Sequence, residues 1–242
     1  MTGVLDLLTT RFDRVGLNVV GATSIAAYDV RVAPPQRLAP HASEARTAIV
    51  VGNGGGAFWA AFRAAHARDG SSADPLDRFT RDVVATATAD VAGARTVFPF
   101  DATPTLVDFQ TLAELAGLGR RSLVGVLVHP EYGPWLALRA AILVREDVRA
   151  ARPADGFDPC PGCVERPCIT ACPAGAVGAD GWDVPRCVAH RLADATRCAG
   201  GCHARLDCVY GRAHRYPADA LAFHQASARA AMARYASAVR KT

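Results

Sequence analysis

Eight cysteines carry the most specific chemistry in this sequence, and all of them fall between Cys160 and Cys208. The first four read C-x2-C-x4-C-x3-C-P, formed by Cys160, Cys163, Cys168 and Cys172-Pro173; Cys187, Cys198, Cys202 and Cys208 follow. Thiols either pair as disulfides or, as thiolates, hold metal. Disulfide frameworks mostly serve small exported domains that cannot build a sufficient core. A chain of 242 residues, 50% hydrophobic and 21% charged, can bury a core without them. Met1 to Asp6 has neither the basic start nor the apolar stretch of an export signal. The expectation is a cytoplasmic protein whose clustered thiols bind metal.

Spacing narrows the metal. Bacterial ferredoxins use C-x2-C-x2-C-x3-C-P, in which three closely spaced thiolates wrap one 4Fe–4S cluster and the Cys before Pro turns to another. Here the middle spacing is two residues longer, an insertion that a loop containing Pro167 absorbs. Four plus four thiolates suit two clusters. By the ferredoxin crossing pattern, Cys160, Cys163, Cys168 and Cys208 hold one, and Cys172, Cys187, Cys198 and Cys202 hold the other. Two alternatives stay open. Zinc also takes C-x2-C pairs, though it gives no reason for C-x3-C-P. A single cluster with spare cysteines would accommodate the irregular second set.

The rest of the chain must position this module. Leu5, Leu8, Phe12 and Val15 recur at helical spacing. Residues 17–27 read as extended, 45–51 as a strand and 57–68 as a helix. Asp74-Pro75-Leu76-Asp77 opens a further helix to about Gly93, with Asp74 able to cap and Pro75 suited to the first turn. A strand near 95–100 and a helix over 109–117 follow. Leu123 to Val128 reads as a strand, His129 to Pro134 as a turn and Trp135 to Val144 as the return strand. Alternation would put Trp135, Ala137, Arg139 and Ala141 on one face of that strand. Pro217 opens a last helix with Leu221, Met232, Tyr235 and Val239 as core contacts. Gly52-Asn53-Gly54-Gly55-Gly56-Ala57 fits G-x-G-x-x-A, but no second parallel strand follows, so a loop near a bound cofactor or a plain strand–helix turn is preferred to a dinucleotide site.

Four segments, in this order, resemble epoxyqueuosine reductases: Asp101-Ala102-Thr103-Pro104, Ala116-Gly117-Leu118-Gly119, His129-Pro130-Glu131-Tyr132-Gly133-Pro134-Trp135, and the C-x3-C-P module. That family places cobalamin on a nitroreductase-like domain and feeds it electrons from two 4Fe–4S clusters, a plan that reductive dehalogenases share. Asp74-Pro75-Leu76-Asp77, Gln110-Thr111, Val124-Gly125-Val126, His129-Pro130, Trp135-x3-Arg139 and Arg215-Tyr216 are similar to CblC, the cobalamin-trafficking MMACHC family. The resemblances imply an α/β protein: a nitroreductase-like α+β corrinoid-binding domain over 1–152, a small ferredoxin-like iron–sulfur module over 153–216, and a C-terminal helix over 217–242 packing back on the core. They imply Asp101 as general acid, with Gln110, His129, Tyr132, Gly133, Trp135, Arg139 and Arg215 around cobalamin, and an external electron donor.

Only a helix follows the cysteines here, where epoxyqueuosine reductases carry helical repeats for tRNA. With a net charge of only +4, a small corrinoid is therefore expected rather than nucleic acid. No apolar run approaches the ~18–20 residues of a membrane span. Three functions compete: a cobalamin-dependent or cobalamin-processing oxidoreductase, a ferredoxin-like electron carrier without a corrinoid, and a zinc-stabilised binding protein. A tRNA-modifying enzyme like epoxyqueuosine reductase is a variant of the first.

Overall fold

The computed structural model describes residues 3–66, 74–101 and 107–239, with Ala238 and Val239 described by backbone alone. Residues 67–68 of the expected helix, and Ala102, Thr103 and Pro104 of the Asp101 motif, lie outside the described residues. Along the chain the elements are α1 (Val4–Asp13), β1 (Val19–Ser24), α2 (Ile25–Asp29), β2 (Thr47–Gly54), α3 (Ala57–His66), α4 (Pro75–Thr88), β3 (Arg95–Val97), α5 (Phe109–Leu115), β4 (Arg120–Arg121), β5 (Leu127–Val128), β6 (Leu136–Val144), α6 (Pro167–Ala171), β7 (Val177–Gly178), β8 (Gly181–Trp182), α7 (Val184–Ala193), α8 (His203–Leu206) and α9 (Ala218–Val239). The fold is mixed α/β. It divides into two compact units, 1–119 with 136–157 and 120–135 with 158–242.

The first is a sheet unit. Its four strands run β1-β2-β6-β3, every neighbouring pair antiparallel. Thr47-Ala48-Ile49-Val50-Val51 is rich in β-branched residues, and all of β2 is buried, as befits a central strand covered on both faces. Leu8 and Phe12 of α1 and Phe58 and Phe62 of α3 are buried in the same unit. Tyr28 has no exposed surface; its hydroxyl donates to the Gln36 carbonyl at 3.2 Å and accepts from the Asp108 N–H at 2.9 Å. Burial pushes its pKa up to about 12, so it stays a neutral donor. The antiparallel sheet gives the glycine-rich run no βαβ setting. Gly54 is fixed instead by reciprocal bonds with the Asn18 side chain, at 2.8 and 3.2 Å.

Four expectations of local structure change. Of the strand read over 123–128, only Leu127 and Val128 are extended, because Ser122 to Val126 closes on itself through two bonds to the Val126 carbonyl. The expected hairpin does not form: β5 pairs with β4, while β6 pairs with β2 and β3. A β-bulge also breaks the assumed alternation, since Val51 faces Ala140 and Gly52 faces Leu138, leaving Arg139 as the extra residue. Asp74 precedes α4 without making a side-chain cap.

The cysteine unit joins very short elements to two longer helices, α7 and α9. Segment 120–135, expected in the larger domain, belongs to this unit, and so does α9. The boundaries expected after 152 and 216 therefore differ from the division observed after 157. Gly133 and Gly211 explain the grouping. Both have positive φ, and a Cβ on either would strike the backbone of the other loop, at Tyr210 and at Tyr132. On α9, Ala220 is buried, Leu221 and Met232 are half-buried, and Tyr235 is exposed. The side chain of Val239 lies outside the described residues.

Candidate metal centre

The eight cysteines are free thiols, each partly buried. They fall into two groups of four. Cys160, Cys163, Cys168 and Cys208 line one narrow cavity of about 20 Å³. Cys172, Cys187, Cys198 and Cys202 line a second of about 200 Å³. Val124 borders both. The electrostatics divide the same way. Burial pushes the Cys168 and Cys208 thiols up, and Cys160 and Cys163 push them further. Burial likewise raises Cys187 and Cys198, and both feel Cys202 and Cys172. Without metal, those four thiols resist ionisation, so ligation must release protons.

Local backbone explains how the chain reaches this arrangement. Arg166, in the lengthened middle spacing, takes φ 41° and ψ 52°, and Pro167 then opens α6. A residue before proline is steered away from the right-handed helical region, so the turn is made by a left-handed residue and Pro167 starts the helix carrying Cys168. Cys198 also has positive φ, at 55°. Strain of this kind persists where surrounding structure fixes a functional side chain. The Cys172 sulfur accepts the Ala176 N–H at 3.3 Å. Asp183 caps α7 through the Arg186 N–H at 2.9 Å, which sets the helix bearing Cys187.

Among the described residues, no three His, Cys, Asp or Glu side chains converge on a single-ion site. Zinc holds sulfur at about 2.3 Å, so its ligands crowd one point. A cubane is itself several atoms across and takes its thiolates at separate corners. Here the thiols are spread over the walls of their two cavities. One donor beside them is orphaned: the Arg191 Nε is buried without a hydrogen-bond partner among the described residues, and Arg191 lines the second cavity.

The residues expected around a corrinoid are not gathered in one unit. Asp101, Gln110 and Arg139 belong to the sheet unit; His129, Tyr132, Gly133, Trp135 and Arg215 belong to the cysteine unit. Asp101 accepts the Phe98 N–H at 3.0 Å and pairs with Arg81 at 2.5 Å, while the Arg81 guanidinium lies over Phe98 and Phe100. Gln110 is half-buried in the first turn of α5. The bulge turns Arg139 into the sheet unit, where its Nε donates to Asn53 Oδ1 at 2.7 Å beside the Phe58 ring. Asp77 feels that charge: burial raises its pKa and Arg139 opposes the rise.

In the cysteine unit, His129 Nδ1 accepts the N–H groups of Glu131 and Tyr132, at 3.0 and 3.2 Å. Burial pushes its pKa down, Glu131 opposes this, and His214 adds to it, so the ring is a neutral turn former. Trp135 is 1% exposed and packs edge-on against Tyr216. Arg205 lies over both rings and donates to the Pro134 carbonyl at 2.9 and 2.6 Å. Arg215 is exposed and donates to the Leu206 carbonyl at 2.5 Å. Sequence reasoning missed Arg205 and Arg191. Their only signal was a basic residue within the cysteine spacing, which in an arginine-rich chain marks nothing.

No protein-family model matches the sequence, and no curated protein matches it. Solved structures do. Epoxyqueuosine reductase from Streptococcus thermophilus aligns at 15% identity with a TM-score of 0.59, over 87% of this chain and 66% of that one. The C. elegans B12-trafficking protein CblC, a human MMACHC homologue, aligns at 15% identity and TM-score 0.57, over 92% and 90%. The chain has their fold. A catabolic reductive dehalogenase, solved with 3-bromo-4-hydroxybenzoic acid, aligns at 18% identity and TM-score 0.56, over 96% of this chain and 36% of its own. The chain thus spans a little under two thirds of the reductase and about a third of the dehalogenase, but nearly all of CblC. Among the described residues no helix is long and apolar enough to cross a membrane.

Proposed function

We propose that this protein is an iron–sulfur oxidoreductase that takes electrons from an external donor and delivers them to a corrinoid, which it reduces, processes or uses. The observation that carries the electron-transfer half is the division of the eight thiols into two walls of four, in the crossed pattern of two-cluster ferredoxins. Cys160, Cys163, Cys168 and Cys208 would hold one 4Fe–4S cluster; Cys172, Cys187, Cys198 and Cys202 would hold the other. The clusters would supply one-electron transfer. The chain's own part is to hold the thiolates, to lock the loops of Gly133 and Gly211 against each other, and to fix α8 through Arg205. The corrinoid half is supported by the fold shared with a B12-trafficking protein. Asp101 stands as a candidate proton donor, with Gln110, Arg139 and the loop from His129 to Trp135 as candidate contacts.

A second reading, an electron carrier without a corrinoid, is favoured by one observation: His129 and Trp135 are already occupied inside their own unit. Anaerobic titration with hydroxocobalamin, with and without reductant, separates the two. The first reading expects a saturable change in the cobalt spectrum at one equivalent and reduction that is lost in Cys160→Ser. An unchanged spectrum supports the carrier.

A further inference from the structure

Arg191 sits on α7, between Cys187 and Cys198 in sequence, and is only 7% exposed. Its two terminal nitrogens face α9. One donates to the Met232 sulfur at 3.3 Å, the other to the Gln225 carbonyl at 3.1 Å. Its Nε has no acceptor among the described residues, and no carboxylate pairs with it there. A buried guanidinium with an unmet donor and no counter-charge is costly, and native structures keep such a group where something else supplies the acceptor. Arg191 lines the cavity of Cys172, Cys187, Cys198 and Cys202. The first cavity has no matching group: Arg166 on its wall is more exposed, where water screens its charge.

We propose that Arg191 is the positioning residue of the second cluster: its Nε–H donates to a sulfur of that cluster, and its buried charge makes this cluster the more easily reduced of the two. The proposal rests on the two-cluster reading above. Cluster potentials follow net charge, burial and hydrogen bonds to sulfur. A buried cation favours the reduced form, which carries one more negative charge. Electrons entering at the first cluster would then run downhill to the second.

The test is an EPR-monitored potentiometric titration of the whole chain, with iron and sulfide assayed on each sample. The parent should show two one-electron steps. In Arg191→Met the higher step should fall by at least tenfold in its reduction equilibrium, which is 59 mV for one electron. The lower step and the iron content should stay put, and Arg191→Lys should recover part of the shift. Both steps unmoved in Arg191→Met, with iron retained, would overturn the proposal. So would loss of the second cluster's iron in both variants with the first step intact, because Arg191 would then be only a strut between α7 and α9. A parent without a second cluster fails the two-cluster reading itself, and the iron and sulfide assay on the parent shows this before any variant is read.

Discussion

The two units of this chain are held together in different ways. The sheet unit owns most of the buried apolar side chains, from Leu8 and Phe12 through Ile49, Val50 and Val51 to Ile142 and Leu143. The cysteine unit has two-residue strands, helices of four and five residues beside the longer α7 and α9, and, among the described residues, one large fully buried side chain, Trp135. Many of its other ties are polar: arginines on carbonyls and a histidine on backbone N–H groups, with two glycines in backbone contact. A unit this poor in apolar burial needs a further source of stability. On the two-cluster proposal, the sheet unit is folded by burial and the cysteine unit by what its thiols bind.

The largest effect that would break this contrast is removal of iron. Structural metal sites contribute on the order of 10 kcal/mol to folding. Chelation after oxidation should make residues 158–239 exchange amide hydrogens quickly and open to protease, while β2 and β6 stay protected. Equal protection in both units would show that the thiols are not what holds the second one together. Next in size, Phe12→Ala removes a ring with no exposed surface from the sheet unit and should cost about 3–5 kcal/mol. Denaturant melts should show that loss with iron content unchanged. Smaller again, Arg205→Ala removes two bonds to the Pro134 carbonyl and the charge over Trp135 and Tyr216. It should cost about 2 kcal/mol in the iron-loaded protein and nothing in the iron-free one, where the unit is already open.

The smallest effect is a pH dependence. Burial holds His129 below its ordinary pKa, while the unfolded chain takes up its proton near pH 6.5. The unfolded state therefore binds more protons as pH falls. The stability that neutral His129 contributes is full above about pH 6.5 and declines below it, towards the folded pKa. His129→Asn, which keeps an acceptor for the two N–H groups, should flatten that slope between pH 7 and 5. A ring titrating at its ordinary value by NMR would contradict the assignment.

Local signals in the sequence were enough for what local chemistry decides. The β-branched run that became β2 and the Pro75 start of α4 are visible without neighbours, and the crossed pattern of thiols follows from spacing. The pairing of β6 is not visible, because its partners β2 and β3 come from far upstream, and an adjacent turn suggested a hairpin instead. One bulged residue moved Arg139 out of the alternation that put it beside Trp135. Trp135 itself was read as a ligand contact because Tyr216 and Arg205, which cover it, lie 70 residues or more along the chain. The interlock of Gly133 with Gly211 depends on two positive φ angles that no periodicity encodes. For the cysteines, the division into two sets of four was legible and the arginines beside them were not.

The central claim is that the eight thiols hold two clusters. Iron and acid-labile sulfide, measured per chain on protein purified without oxygen, with Mössbauer spectra of the same sample, test it most directly. The account predicts about eight of each, all in cubane form. Protein that carries zinc and no sulfide, or about four irons with one set of thiols still open to alkylation, would contradict it.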